Sequence, residues 1–435
     1  MIRSISLLAV VACRAGGAGQ PDAPNAADAA DAAEAPVDTA VDTAASRPLL
    51  ASGGVQLLVT GADLGLQITP ADVAADSDAI EIHQEFYGVP WDAFVNDTAP
   101  PAAWVAKLDQ IALSAHATGK PIFLSISMLN GGRDHLAART VIDGGGKVQS
   151  QDSWSARCYD FATASDGAAY RQAYLRYAAW MTREFAPHWL NFAVEVNLFF
   201  EACPAAAAGV IEVANAAYLQ AKATDASIVA FPSIQIDHLY GYNQDSCPGG
   251  DRTACFDQHY AQIAPLLRDR FAMSSYPIPL DGLTAATLPS DWFTRGAARG
   301  HEQGLIAETG MDATPLVAKP RDAPCFTVFT ETEAEQAAYL ARVLGDAQAA
   351  HLELVNWWSN RDLVIAPLMT ACPCTFDATW CAVLDAFRGP PTTTGPDTQL
   401  LGELALKVFG TMGLRDYAGA PKSFYPAWAA ARAMP

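Results

Sequence analysis

Gly304-Leu305-Ile306-Ala307-Glu308-Thr309-Gly310 is a short apolar run that ends in a carboxylate and then turns on a threonine and a glycine. It reads as a β-strand that delivers one acid at its carboxyl end, the position from which parallel barrels build their sites. A second stretch of the same kind lies upstream, Leu190-Asn191-Phe192-Ala193-Val194-Glu195-Val196-Asn197. Glu195 and Glu308 are therefore the candidate catalytic pair, and the rest of the chain is read as the frame that brings them together.

Working outward from these two strands, short β-rich runs alternate with longer Ala-rich helical stretches. The candidate strands are Val55–Thr60, Ala79–Phe86, Pro121–Leu129, Leu190–Leu198, Ile228–Ile236, Phe271–Tyr276, Gly304–Glu308 and Leu352–Trp358. Candidate helices between them include Pro101–Ala117, Ala168–Phe185, Gly209–Thr224, Asp257–Arg270, Pro289–Gln303 and Glu331–Ala350. About eight strand-then-helix repeats predict an α/β fold, a (β/α)8 TIM barrel over residues 48–435, with an open doubly wound sheet as the alternative. The strands alternate. Ile80 and Ile82 oppose Glu81, His83 and Glu85, and Phe192, Val194 and Val196 oppose Asn191, Glu195 and Asn197. The apolar sets belong under helices, and the small and polar sets point into the barrel and its mouth. A glutamate on an inward face is costly unless it is paired or functional.

The net charge of −20, with no block of Lys or Arg, excludes a phosphate backbone as the natural partner. Of nine cysteines, setting Cys13 aside leaves an even number, none in a zinc-type CxxC pair. Disulfides in an oxidising compartment are the expectation. Cys247 and Cys255 should close one loop, and Cys372, Cys374 and Cys381 should share another.

Residues 1–12 combine a positive start at Arg3 with a short apolar run, and Val10-Val11-Ala12-Cys13 resembles the bacterial lipobox. Cys13 is the expected lipidation site, and Arg14 rather than Asp after it implies an outer-membrane or cell-surface lipoprotein. Residues 13–47 are Ala, Asp, Pro and Thr with almost no large apolar side chain, the composition of a disordered tether.

Cleaving a glycosidic bond takes an acid on the leaving oxygen and a carboxylate on the other side of the sugar, about 5–5.5 Å apart in the retaining route. A glutamate ending strand four and another ending strand seven resembles the pattern of the clan A retaining glycoside hydrolases. Ile306-Ala307-Glu308-Thr309-Gly310 resembles their nucleophile segment, and Ala193-Val194-Glu195-Val196-Asn197 their acid/base segment. Ser274-Ser275-Tyr276-Pro277 is similar to the strand whose Tyr hydrogen-bonds the nucleophile. Asn356-Trp357-Trp358 is similar to strand eight, where a Trp lies under the reacting sugar, and Gly413 to Lys422 to the closing segment. One departure stands out: Val194 occupies the place where many members carry the Asn that holds the sugar 2-hydroxyl. The resemblance implies substrate contacts from Tyr276, from one of Trp357 and Trp358 (the other facing the core), and from Asn197 in place of the missing Asn. His83 and His238 sit where mouth residues would. The acid is expected to have its pKa raised, and the nucleophile to stay ionised.

Other chemistries find no footing. There is no Gly-x-Ser-x-Gly elbow and no HExxH pair, and Gly144-Gly145-Gly146-Lys147 lacks the following Ser or Thr of a phosphate loop. No metal or cofactor is expected. Arg361-Asp362 reads as a loop ion pair. The expected protein is a monomeric surface-anchored glycosidase for a β-linked polysaccharide or oligosaccharide. The alternative is the same barrel, inactive, binding glycan as a surface lipoprotein.

Overall fold

The computed structural model describes residues 47–53, 68–84, 88–146, 148–242, 247, 250–277, 283–320, 322–363, 366–372, 381, 400, 403–404 and 407–434. Cys13, the export segment, all of the tether but Arg47, and Glu85 lie outside them, as does the strand expected over Val55–Thr60.

Eight parallel strands close into a barrel: β1 Leu49–Ser52, β2 Ala79–His83, β3 Ile122–Ser125, β4 Trp189–Ala193, β5 Val229–Gln235, β6 Phe271–Ser275, β7 Gly304–Thr309 and β8 Leu354–Trp357. Each pairs with its sequence neighbour, and β1 closes on β8 with Leu49 opposite Leu354. A helix follows each strand: α1 Pro70–Asp76, α2 Ala102–His116, α3 Gly167–Phe185, α4 Ala207–Thr224, α5 Arg252–Ile263, α6 Arg295–Gly300, α7 Glu333–Ala349 and α8 Tyr425–Ala433. The closed ring excludes the open sheet. The first strand is Leu49–Ser52, just before the apolar run the sequence suggested.

The two-residue period of the strands sorts their side chains. Ala51, Ala79, Phe123, Trp189, Phe231, Ala272, Leu305 and Leu354 fill the barrel, the aromatic rings of β3 to β5 facing smaller side chains on β1, β2 and β6 to β8. Ile80, Ile82, Leu124, Leu190, Phe192, Ile234, Met273, Ile306 and Val355 pack outward under the helices. Helix α7 shows why such stretches become helices. The Thr332 side chain caps it by accepting from the Glu335 amide, and Tyr339, Leu340, Val343 and Ala347 recur at helical spacing on its buried face.

The barrel is fastened where its ends meet. Asp76, buried at the end of α1, accepts from Arg415 at 2.7 Å and from Asn360 at 3.0 Å, and from the Tyr425 hydroxyl at 2.5 Å. Burial works against its charge, but these donors hold its carboxyl below the usual range. The Trp428 indole donates to the Asp76 carbonyl at 2.7 Å, tying α8 to α1.

Disulfides join Cys158 to Cys203, Cys247 to Cys255, and Cys325 to Cys372. The second matches expectation. The third corrects it: Cys372 reaches back across 47 residues to Cys325 instead of pairing among its neighbours. Cys381 is also disulfide-bonded, and Cys374 lies outside the described residues. Arg361 and Asp362 do not pair with each other. Arg361 lies 3.7 Å from Asp72, and Asp362 lies 2.6 Å from Lys422.

A group of buried acids lies beyond β7. Burial pushes the Glu331 carboxyl up to about 9, with Asp312 adding to the rise, and burial pushes Asp312 up to about 8. A carboxyl whose folded pKa exceeds its unfolded value makes the fold most stable below the unfolded value. That stability is lost as pH rises through the folded one. Glu331→Gln is therefore expected to leave stability unchanged at pH 4.5. At pH 8 it should stabilise the protein by on the order of a few kcal/mol, read from denaturant midpoints at the two pH values.

Candidate active site

The site lies at the carboxyl ends of the strands, and β7 brings Glu308 there by an irregularity. Plain alternation from Ile306 (outward) and Ala307 (inward) would turn Glu308 outward. The register shifts at this point: Met273 of β6 lies opposite Ile306, but Ser274 lies opposite Glu308. On the other side Val355 lies opposite Ile306 and Trp357 opposite Thr309. One extra residue in β7 thus turns Glu308 into the mouth, as bulges beside active sites do. Gly310 then lets the chain pass β8, since a Cβ there would lie 2.2 Å from the Trp358 carbonyl oxygen.

Glu195 arrives differently. Strand β4 stops at Ala193, and a turn over 194–196 leads into the short helix Asn197–Ala202. Within the turn Glu195 holds a left-handed backbone, φ 48°, which a residue with a Cβ adopts at a cost of about 1–3 kcal/mol. Ser233 on β5 fixes the turn by accepting from the Glu195 amide at 2.9 Å and from the Asn191 side chain at 3.0 Å. Asn197 completes the clamp. Its Nδ2 donates to the Gln235 carbonyl at 3.0 Å, and its Oδ1 accepts from the Gln235 amide at 2.8 Å. Both ends of this buried amide are taken by backbone, which corrects the expectation that Asn197 contacts sugar.

Strand β6 and the residue just past its end donate to both acids. Ser274 Oγ donates to Glu195 Oε1 at 2.6 Å, and the Tyr276 hydroxyl, two residues on, donates to Glu308 Oε1. Burial and the facing Glu308 keep that phenol protonated and hence a donor. The second oxygen of Glu195 takes Arg133 Nη2 at 3.4 Å. Desolvation in the mouth pushes the Glu308 carboxyl up to about 7; His83 opposes the rise, and Glu195 adds to it. The acids are thus close enough to feel each other. Glu308, the expected nucleophile, is thus raised by burial, whereas the sequence reading expected the nucleophile to stay ionised.

The tryptophans divide by strand parity. Trp357 points outward, fully buried, with its indole donating to the Met412 carbonyl at 2.8 Å and its ring near Tyr339 and Phe424. It is a core residue, a correction to its assignment as a sugar contact. Trp358 turns to the mouth, where its ring meets His83 edge-on at 5.4 Å and 72°. Its indole Nε1 is buried and has no hydrogen-bond partner among the described residues. The peptide after it is cis. His238 lies deeper, its Nδ1 2.7 Å from Glu201. Among the described residues no cluster of three or more His, Cys, Asp or Glu is arranged to hold a metal ion.

Several neighbours were not proposed from the sequence. Arg133 sits in the Asn130–Arg133 turn after β3 and donates to the Asn130 carbonyl at 2.7 Å. Nothing in that loop marks it as pointing at Glu195. Phe409, shortly before the closing segment, meets Tyr276 at 5.4 Å and Trp358 at 6.4 Å. Ser274 was legible by parity with Tyr276. The Gly144–Gly146 stretch is the tip of a hairpin between Arg139–Ile142 and Val148–Gln151, and Lys147 lies outside the described residues.

No family model matches the sequence, and no curated protein matches it. Solved structures do. An exo-β-1,4-mannosidase from Opitutaceae bacterium strain TAV5 superposes with a TM-score of 0.50 at 14% identity, over 84% of this chain and 54% of that one. The chain thus spans about half the length of that mannosidase. The GH5_18 protein of Bifidobacterium longum subsp. longum gives 0.52 at 12% identity, over 88% of this chain and 78% of that one. A GH5_18 variant from Streptomyces cattleya, in complex with Manβ1-4GlcNAc, gives 0.52 at 12% identity, over 88% and 80%. The chain has the fold of these glycoside hydrolases. With so few identities the likeness is one of fold, and the case for a reaction rests on the side chains described above.

Proposed function

We propose that the chain is a retaining glycoside hydrolase that cleaves a β-linked glycan, with Glu308 as nucleophile and Glu195 as acid/base. The observation that carries this is the pair of carboxyls at one barrel mouth, hydrogen-bonded to Ser274 on β6 and to Tyr276 just past its end. Glu308 attacks the anomeric carbon while Glu195 protonates the leaving oxygen. Water, deprotonated by Glu195, then releases the sugar from Glu308. Tyr276 orients Glu308, and Trp358 offers its ring to the bound sugar.

The productive form has Glu308 ionised and one proton left on the pair. With Glu308 at about 7, kcat/KM is expected to fall about tenfold per pH unit below that value. Loss of the pair's remaining proton sets the alkaline limb. A profile flat from pH 5 to 8 would contradict the assignment.

The direct test is an activated 2-deoxy-2-fluoro glycoside, starting with β-mannosides, the sugar in the names of the structural neighbours. The expected outcome is a mass gain on the peptide carrying Glu308. A second reading, a glycan-binding barrel without turnover, has one observation in its favour. Val194 is fully buried and apolar, and the Asn197 amide is occupied, so neither supplies the 2-hydroxyl contact. Saturable glycan binding with neither label nor turnover would favour it. We further propose export with a lipid on Cys13. Globomycin-sensitive processing and recovery in the outer-membrane fraction are expected, and unlipidated protein in the periplasmic fluid would refute the anchor.

A further inference from the structure

We propose that Glu81 and His83 form a dyad that holds a positive charge beside Glu308, Glu81 acting on the reaction only through His83; this rests on Glu308 as the nucleophile.

The alternation of β2 places both side chains on the barrel face while Ile80 and Ile82 pack outward. Glu81 is 1% exposed, and its Oε1 lies 3.3 Å from His83 Nδ1. Its Oε2 is buried with no hydrogen-bond partner among the described residues. Room for that oxygen exists because residue 53 is a glycine: a Cβ there would lie 2.9 Å from Oε2 and 2.6 Å from the Trp358 ring. A carboxylate so deep needs a cation in reach, and His83 supplies one. The edge contact with Trp358 fixes the ring plane that keeps Nδ1 on Glu81.

The charged and titratable groups around the dyad come from every side of the mouth. Glu308 faces it from β7, Tyr276 from just past β6, and Glu195, with Arg133 against it, from the β4 turn. His238, paired with Glu201, acts on Glu195 from beyond β5. His83 works to keep Glu308 ionised, more strongly than Glu81 works against it. The two parts of the dyad therefore predict opposite signs. If His83 lost its proton along with Glu81, Glu308 would become harder to ionise. If His83 kept its charge alone, Glu308 would become easier to ionise.

The experiment measures kcat/KM against pH for wild type, Glu81→Gln, His83→Gln and the double variant on a glycoside that the wild type cleaves. Glu81→Gln is expected to move the acid limb upward by about one unit, a roughly tenfold loss on the acid side with alkaline activity kept. His83→Gln should do the same, and the double variant no more than His83→Gln. An unmoved or downward-shifted limb in Glu81→Gln, or additive shifts in the double variant, overturns the dyad. Imidazole NMR supplies an arm that needs no turnover: the His83 ring is expected charged at pH 7.5 in wild type and neutral in Glu81→Gln. A neutral ring in the wild type also overturns the proposal. A charged ring in a wild type that cleaves no glycoside leaves the dyad standing and removes the hydrolase assignment alone. Should Glu81→Gln not fold, Glu81→Asp, with a longer gap to Nδ1, is expected to give a smaller upward shift, and no shift overturns the dyad.

Discussion

Glu308→Gln is expected to lower kcat by roughly 10⁴-fold or more while the circular dichroism spectrum and melting temperature stay near wild type. The substitution keeps the shape of the side chain and its partner, since the Tyr276 hydroxyl can still donate to an amide oxygen. It removes the anionic oxygen that must bond to the anomeric carbon. It also removes a carboxyl that desolvation makes hard to ionise, so stability should if anything rise slightly. Glu195→Gln should differ in a telling way. With a substrate whose leaving group needs no proton, the first step survives and the glycosyl-enzyme accumulates on Glu308. Added azide should then restore turnover by attacking where activated water would have. Full activity of Glu308→Gln would dismiss the nucleophile. Equal damage to Glu195→Gln on activated and unactivated substrates would dismiss the division of labour.

Asp76→Ala is expected to be the most damaging single change away from the mouth, at about 3–5 kcal/mol in denaturant unfolding. The carboxylate gathers Arg415, Tyr425 and Asn360, so its removal leaves a partly buried guanidinium and a phenol without their acceptor. Asp76→Asn should fall between, because an amide oxygen accepts but carries no charge. The sign of the pH effect follows from the depressed carboxyl. The stabilisation is present above the unfolded value of 3.8 and is lost as pH falls below it. Wild type and Asp76→Ala should therefore converge in stability at strongly acid pH. A loss under 1 kcal/mol at pH 7 would show that the barrel closure does not depend on this group.

Much of this architecture was legible before any coordinates. Apolar runs of strand length between Ala-rich helical stretches place β2 to β8 within a few residues, because outward-facing Ile, Leu and Val must recur at every second position. β1 escaped because Leu49-Leu50-Ala51-Ser52 is short and stands at the end of a low-complexity stretch, while a longer apolar run follows it. The two glutamates were legible as acids ending apolar runs. What turns Glu308 inward was not, since a one-residue register shift leaves no mark in composition. The same parity argument would have sorted the tryptophans. Leu354 and Asn356 sit on one face of β8 and Val355 and Trp357 on the other, so Trp357 belongs to the core. Asn197 was misplaced because the strand was extended through the turn at 194–196. The partners drawn from loops, Arg133 and Phe409, depend on chain paths that no local pattern fixes.

Because Ser274 on β6 and Tyr276 just past its end are two residues apart, one hydrogen-bond donor to each acid comes from a single mechanical part. Any fluctuation that lifts this strand from its neighbours releases the two carboxyls together. Heating or mild denaturant should therefore extinguish turnover in one step, coincident with deprotection of the amides of residues 271–276 against solvent hydrogen. A half-competent species, able to form the covalent sugar adduct but unable to discharge it, should not accumulate on the way.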